Sequence, residues 1–484
     1  MSDDGIASSP SLADGLHLIV KQDCPTCVGL EPVIVELSHG LTPLRVYSQD
    51  DPEFPAGVSV IDDTNLAVSW HHRIETVPTL LRVVDGVEVG RIVGWQRADW
   101  RQFTESPSLG ESADQLADWM PGCGSKSVDP DLVDELAFRF GASSLRSRRV
   151  EFAAAEDENE AMYQRGWSDG LPVVAPTPER VKRMLEGTSR DAQDVVAIVP
   201  PNLAEATVEQ VAINAVMAGC RPNYLPVVLA AVEAACTDRF NMHGLLCTLW
   251  FSGPIVIVNG PIRREIAMNT GRSALGQGNR ANSTIGRALQ LVIRNLGGGR
   301  PGEIDRAALG APSKIGWCFP EDEEALPDGW PSLAVERGFG PGDDTVTLFA
   351  GHGPSGIVDQ TSRTPEDLLR SFAGRLLATG NPFQPSEAML VLTPEHQRVF
   401  ADAGWSKQRF HDELAKRLVI DPVIAQAGIS GGSSGSATKG VPKFRPGSLL
   451  VVRAGGDAGA FSAIIEGWIG GRAGSEPITI MIDR

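Results

Sequence analysis

The sequence predicts an α/β fold in two parts: a small N-terminal α/β domain joined to a large α/β domain with a mixed or mainly parallel sheet. Three observations lead there. A chain of 484 residues is longer than one ordinary hydrophobic core serves. Strand-like and helix-like stretches alternate from Gly15 to about residue 105, and again from about residue 161 to the end. Between the two runs lies the polar, turn-rich stretch "SPSLGESADQ". The expected division is therefore 1–105, a linker and helical segment 106–160 that carries Cys123, and 161–484.

In the first part, "GLHLIVKQ" reads as a short apolar strand and "CPTCVGLEPVIVELSHG" as one helix ending at Gly40. "PLRVYSQ" is a second strand and "TNLAVSWHHRIE" a helix. "VPTLLRVVDGVEVGRIVGW" is a pair of strands joined at Asp85-Gly86, and "RADWRQFTES" a closing helix. In the large part, "DVVAIVPP", "ATVEQVAINAVMAG", "YLPVVLAAVEAACT" and "GPIVIVNGPI" continue the alternation. "AMLVLTPEHQRVFADAGW" and "SLLVVRAGGDAGAFSAIIEGW" each read as a strand followed by a helix. The patch "GISGGSSGSATKG" reads as a surface insertion or lid.

A net charge of −18 argues against nucleic acid and anionic membrane surfaces as partners. No apolar run has the length of a membrane span, and "MSDDGIASSPSLADG" lacks the basic start of a signal peptide, so a cytoplasmic location is expected. Seven cysteines in so long a chain do not make a disulfide framework.

Cys24 and Cys27, in "KQDCPTCVGLEPVIVEL", stand where a strand gives way to a helix. Free backbone N–H groups and the helix dipole there stabilise a thiolate on Cys24. Cys27, one turn on, is placed to resolve a mixed disulfide. Half a zinc site and two structural cysteines are the alternatives. A zinc ribbon needs a second CxxC, and the chain has none. Pro78, after Val77 at the start of a strand, suits a cis peptide that leaves the Val77 backbone free to pair with an extended substrate.

CPTC after a strand, Val-Pro-Thr, and the "DGVEVGRIVGW" hairpin together resemble the thioredoxin-like superfamily over about residues 14–105. The resemblance implies Cys24 as attacking thiol, Cys27 as resolving thiol and Pro78 as the cis-proline. The chain departs from thioredoxin in its CPTC, in Asp23 where thioredoxins carry Trp, and in Leu18 where they keep a buried acid. It also lacks the first strand-helix unit. These departures favour a reductase dedicated to its own chain.

Cys123, between two glycines in "WMPGCGSKSVDP", reads as an exposed thiol on a mobile loop, with Lys126 near to lower its pKa. It is a relay thiol for the dithiol, a nucleophile in its own right, or a turn that happens to hold a cysteine. His243 is the best histidine for acid–base work. With Cys247, and a carboxylate such as Glu233, it is also a candidate metal ligand. Cys220 and Cys236 read as core.

"NTGRSALGQGNRANSTIGRALQLVIRNLGGGRPGE" combines Arg272 and Arg280 in a glycine loop, Asn282, Ser283 and Thr284 as helix caps, and Arg287 on the helix. That pattern suits a carboxylate or phosphate. Glu323 or Glu324 could serve as a base, and His352 lies in a Gly-Pro loop after a strand. "GWSDGLPVVAPTPERV", "AINAVMAGCRPNYLPVVLAAVEA", "IVNGPI" and "GNRANSTIGRA" resemble a bacterial family associated with UGSC-type (seleno)proteins, over most of residues 160–484. That resemblance implies no particular reaction or catalytic residue.

The function expected is a thiol-dependent oxidoreductase that reduces, or transfers sulfur to, a small anionic substrate, with a built-in electron-donor module. It requires no cofactor beyond the redox-active dithiol, and an external thiol or disulfide reductase is its expected protein partner. The alternatives are a non-redox hydrolase or lyase, metal-assisted or not, and a non-catalytic redox sensor or scaffold.

Overall fold

Strand β1, Gly15–Val20, is apolar along nearly its whole length because it is buried on both faces at the centre of a five-stranded sheet. The computed structural model describes residues 11–113, 115–140, 145–148, 150, 152–153, 156–381, 385–422, 440–469 and 474–484. Its contacts divide the chain into two units, residues 1–144 and 145–484. Helices and sheets are mixed in both, as an α/β chain requires.

In the first unit, Pro32 has no N–H to continue a helical ladder, so the single helix expected after β1 divides. It forms α1, Pro25–Gly29, and α2, Glu31–Ser38, with Leu30 between them. Strands β2, Leu44–Ser48, and β3, Val60–Asp62, extend the sheet in parallel. After α3, Ala67–His71, and the two-residue β4, Thr76–Val77, strand β5, Thr79–Val84, runs antiparallel to β1. Asp85 and Gly86, both at positive φ, turn the chain into β6, Val87–Val93. The order is β3-β2-β1-β5-β6. Leu18 stacks between Val46 and Leu80 in register, and burying each such side chain stabilises by ~1.5–3 kcal/mol.

Residues 106–140, from the expected linker and helical segment 106–160, belong to this unit. β7, Trp95–Gln96, leads into α4, Arg97–Thr104; β7 then pairs with β8, Trp119–Met120. β9, Cys123–Gly124, pairs with β4, and α5, Val133–Phe140, follows. Buried Leu109 packs in the cluster of Trp95 and Trp100, and the Trp95 indole N–H donates to Ala117 O at 2.8 Å. A polar composition did not prevent docking, because Leu109, Leu116 and Met120 pack on the core and backbone carbonyls accept from Trp95 and Arg97.

The second unit begins with α6, Glu158–Gln164, α7, Pro178–Leu185, and the hairpin of β10, Val195–Val199, with β11, Ala204–Thr207. Thr207 and Gln210 form a capping box at the start of α8, Val208–Ala218. α8 and α9, Leu225–Ala235, are buried nearly all round, and their alanines permit that close packing. α10, Met242–Cys247, precedes β12, Gly253–Asn259, and α11, Ile262–Glu265. α12, Arg280–Asn295, lies against β13, Trp317–Pro320; a Cβ on Gly286 would sit 2.4 Å from Trp317 N, so only glycine permits this approach. Among the described residues no single helix is long and apolar enough to cross a membrane.

After α13, Leu333–Glu336, comes the long β14, Thr345–Val358, then α14, Pro365–Leu377, β15, Ser386–Leu392, α15, Pro394–Asp402, and α16, Lys407–Ala415. The short β16, Val419–Ile420, pairs with β17, Val441–Pro442. β18, Phe444–Arg453, β19, Phe461–Gly467, and β20, Ile478–Met481, complete the chain. The large sheet has the order β13-β12-β14-β19-β15-β18, with β20 on β14.

This sheet is mixed and not mainly parallel. Only β12–β13 and β15–β18 run parallel, while β14 pairs antiparallel with β12, β19 and β20, and β15 with β19. The cause is local. The stretch after β18, expected to start a helix, turns through Gly455 and Gly459 at positive φ and returns as strand β19. Residues 423–439, which hold nearly all of the glycine/serine patch, lie outside the described residues.

Candidate active site

Cys24 is the N-cap of α1, and its sulfur accepts the Cys27 backbone N–H at 3.4 Å. In its thiol form it donates to Val77 O at 3.7 Å. Hydrogen bonding from the Cys27 thiol is the main reason its pKa falls to about 5. Burial opposes that shift; the Cys123 thiol and the N–H groups of Cys27 and Thr26 reinforce it. At neutral pH Cys24 is therefore a thiolate. The same bond holds the proton on Cys27, which burial also keeps neutral, so its pKa is pushed far up. One sulfur is charged and the other protonated, in contact. Both residues are buried, Cys24 at 1 % exposure and Cys27 at 0 %.

The Val77–Pro78 peptide is cis. The Val77 edge is not free. Residues 119–124 run across it, with Cys123 directly opposite Val77 and Gly124 opposite Thr76. Upstream, Met120 and Trp119 pair with Trp95 and Gln96. Between them the Thr26 hydroxyl donates to Pro121 O at 2.6 Å, tying the strand to the CPTC turn itself. Gly122 has no room for a side chain: a Cβ would lie 2.2 Å from Thr76 Cγ2 and 3.1 Å from Val77 O.

Downstream, a buried polar network pins the strand. The Gln49 amide donates to Ser125 Oγ and Ser69 Oγ, each at 2.7 Å, and Ser69 Oγ donates to Asp63 Oδ2 at 2.6 Å. Ser125 N–H donates to Glu75 O at 3.0 Å, and the Ser127 hydroxyl to Ile74 O. Burial raises the Asp63 carboxyl, and the Ser69 hydroxyl opposes that shift in part. The unit thus has a buried acid, but on the network that holds the strap and not on β1.

Cys123 is consequently not on an exposed loop. It is half-buried and packs against the cluster of Cys24, Cys27 and Val77. Burial, then the neighbouring Cys24, raises its pKa, while Lys21, and not Lys126, supplies the opposing charge. Of the flanking glycines of "PGCG", Gly122 marks a close backbone approach, while a Cβ on Gly124 would meet nothing. Nothing in their spacing said against which strand.

The candidates in the large unit do not assemble into one centre. His243 and Cys247 are exposed on α10, and Glu233 is engaged by Arg190 at 2.6 Å. Among the described residues no group of three or more His, Cys, Asp and Glu is placed to hold a metal ion. Asn279 caps α12, so Asn282, Ser283 and Thr284 are in its first turns and are not its caps. Asn282 is buried and stitches the preceding loop through Asn269 and Ala274; Thr284 Oγ1 donates back to Arg280 O. Arg287 donates to both oxygens of Asp169 at 2.8 Å. Arg280 is exposed and donates from Nε to Gly219 O, and Arg272 is exposed.

The acidic stretch after Cys318 wraps buried Arg263: Glu323 lies at 3.2 Å and Glu324 at 3.0 Å. Glu323 also accepts from Asn259 and the Gly260 N–H, so both glutamates are bound as structure. His352 lies within β14 and not in a loop, beside Trp250 and Phe251, with Nε2 3.5 Å from Glu466. Two groups gave no sequence signal. Glu387 is buried and raised to about 7, chiefly by burial, and Lys443 is buried and lowered to about 8 by burial. Comparison of the chain with protein-family models, with curated proteins and with solved structures finds no match among any of them.

Proposed function

We propose that residues 11–140 form a thioredoxin-like thiol–disulfide oxidoreductase unit in which Cys24 attacks and Cys27 resolves. The observation that carries this reading is the helix-capping Cys24 sulfur, which accepts the Cys27 N–H and has a pKa of about 5 beside a protonated Cys27. The sheet order and the CPTC turn after the central strand support it. The Cys24 thiolate attacks one sulfur of a substrate disulfide, and the other sulfur leaves as a thiolate and takes a proton. Cys27 gives up its proton and attacks Cys24, releasing the second thiol. Two protein thiols become one disulfide, and one substrate disulfide becomes two thiols.

The large unit is, on this reading, the part that uses those electrons, in a reduction or sulfur transfer on a small molecule. A covalent tether raises the concentration of the donor at its acceptor. Reducing equivalents come from an external thiol or disulfide reductase, as in a reducing cytoplasm. The test is reduction of the aromatic disulfide dithiobis(nitrobenzoate) by the pre-reduced full chain. Cys24→Ser should remove the fast phase, and Cys27→Ser with Cys123→Ser should leave a mixed disulfide on Cys24. An unchanged fast phase in Cys24→Ser overturns the reading.

A further inference from the structure

Three sulfurs meet at this site. Cys123 packs against the buried cluster that holds Cys24 and Cys27, its side chain hydrogen-bonds with Cys24, and its backbone is laddered onto Val77. An extended disulfide substrate of such a site would lay its own cysteine along the same edge, beside the attacking sulfur. Here the chain's own residues 119–124 are already there. The Thr26 hydroxyl grips Pro121, Gly122 permits the close approach, and the Gln49–Ser125 network anchors the far side. We propose that this strap is the resident substrate of the dithiol, and that Cys123 is a third redox thiol forming a disulfide with Cys24 in exchange with Cys24–Cys27. The inference rests on the dithiol reading above and names its partner.

The exchange balances without a further reagent. In the oxidised unit Cys123 loses its proton and attacks Cys24 Sγ; the Cys24–Cys27 bond breaks, and Cys27 leaves as a thiolate and takes the proton. No net oxidation occurs. The initial oxidant is a small disulfide such as glutathione disulfide, which accepts two electrons and leaves as two thiols. Cys24 is 1 % exposed beneath the strap, and Cys123 is the least buried of the three. A folded protein that needs the Val77 edge finds it filled.

The test uses the full chain, reduced, then treated with glutathione disulfide, alkylated and digested with trypsin. Cys24 and Cys27 fall on one peptide, 22–45, and Cys123 on another, 102–126, so a Cys24–Cys123 bond appears as a cross-linked pair. Wild-type protein should give the internal Cys24–Cys27 peptide together with the cross-linked pair. Cys27→Ala should give the cross-linked pair as its main product. Cys27→Ala with Cys123→Ser should hold a glutathione adduct on Cys24.

A stable Cys24 adduct in Cys27→Ala, with Cys123 still open to alkylation, overturns the inference and leaves the dithiol reading standing. So does a wild-type digest with the Cys24–Cys27 disulfide and no cross-linked pair, which needs no substitution at a buried position. Failure of Cys24 to react in every form sinks both.

Discussion

Val77 and Cys123 face each other across a two-residue antiparallel ladder, forty-six positions apart in sequence. The ladder places a third sulfur beside the Cys24–Cys27 pair and fills the strand edge at the site. Thr26 in the CPTC turn holds the same strand through Pro121, so α1 and the strap are one assembly.

The Cys24 thiol should react with iodoacetamide with a midpoint near pH 5, while Cys27 and Cys123 stay protonated well beyond it. A depressed folded pKa stabilises the reduced fold at pH values above the unfolded thiol's, and that contribution is lost as pH falls through the folded value. Relative to Cys24→Ser, the melting temperature of the reduced chain should therefore rise from about pH 5 toward pH 9. A difference that stays flat over this window removes the thiolate.

Gly122→Ala should loosen the strap. Its Cβ meets the stiff β-branched side chain of Thr76, and overpacking of this kind costs about 1–3 kcal/mol. Thr76→Ala should return most of that loss in the double variant. Denaturant unfolding of the four-member cycle measures the coupling, and strictly additive effects mean the strap is not seated against Thr76.

Asp169 and Arg287 form a nearly buried pair, at 12 % and 14 % side-chain exposure. Burial alone would raise the Asp169 carboxyl; the Arg287 hydrogen bonds and charge outweigh it and hold the pKa below the usual value. Asp169→Ala leaves an uncompensated guanidinium and should cost about 3–5 kcal/mol, with a smaller further loss on adding Arg287→Ala. The contribution is present at neutral pH and is lost as pH falls through the depressed value, so the wild-type and Asp169→Ala curves should converge in strong acid.

Glu387 has the opposite sign. Burial raises its carboxyl to about 7, with the Ser448 hydroxyl 3.1 Å away as partial relief. The protonated form suits the folded state, so stability is full below about pH 4.5 and falls as pH rises toward 7. Glu387→Gln should be more stable than wild type at pH 8 and equal to it at pH 4.5. Equal midpoints at both pH values would show that the group is solvated.

Local patterns were legible where the physics is local. The apolar run of β1, the Asp85-Gly86 turn and the helix-starting CPTC each follow from residues adjacent in sequence. Pro32 was equally visible, yet the break it makes depends on a missing hydrogen bond that the apolar periodicity hides. The stretch "FSAIIEG" was ambiguous for another reason. Its short apolar run fits strand and helix alike, and its place between β14 and β15 is decided by their unpaired edges. The arginines of the glycine loop looked like an anion site because their chemistry suits one; Arg287 instead meets Asp169, more than a hundred residues away.

From its own residues the chain determined a two-part α/β organisation and a thiol pair at a helix start, since helix capping acts within one turn. The tertiary structure alone decided that Val77's edge is occupied, that Cys123 is the sulfur occupying it, and that Asp63 anchors the strap. Backbone ladders and buried networks join residues by position in space, and no spacing along the chain records which strand a returning segment will meet.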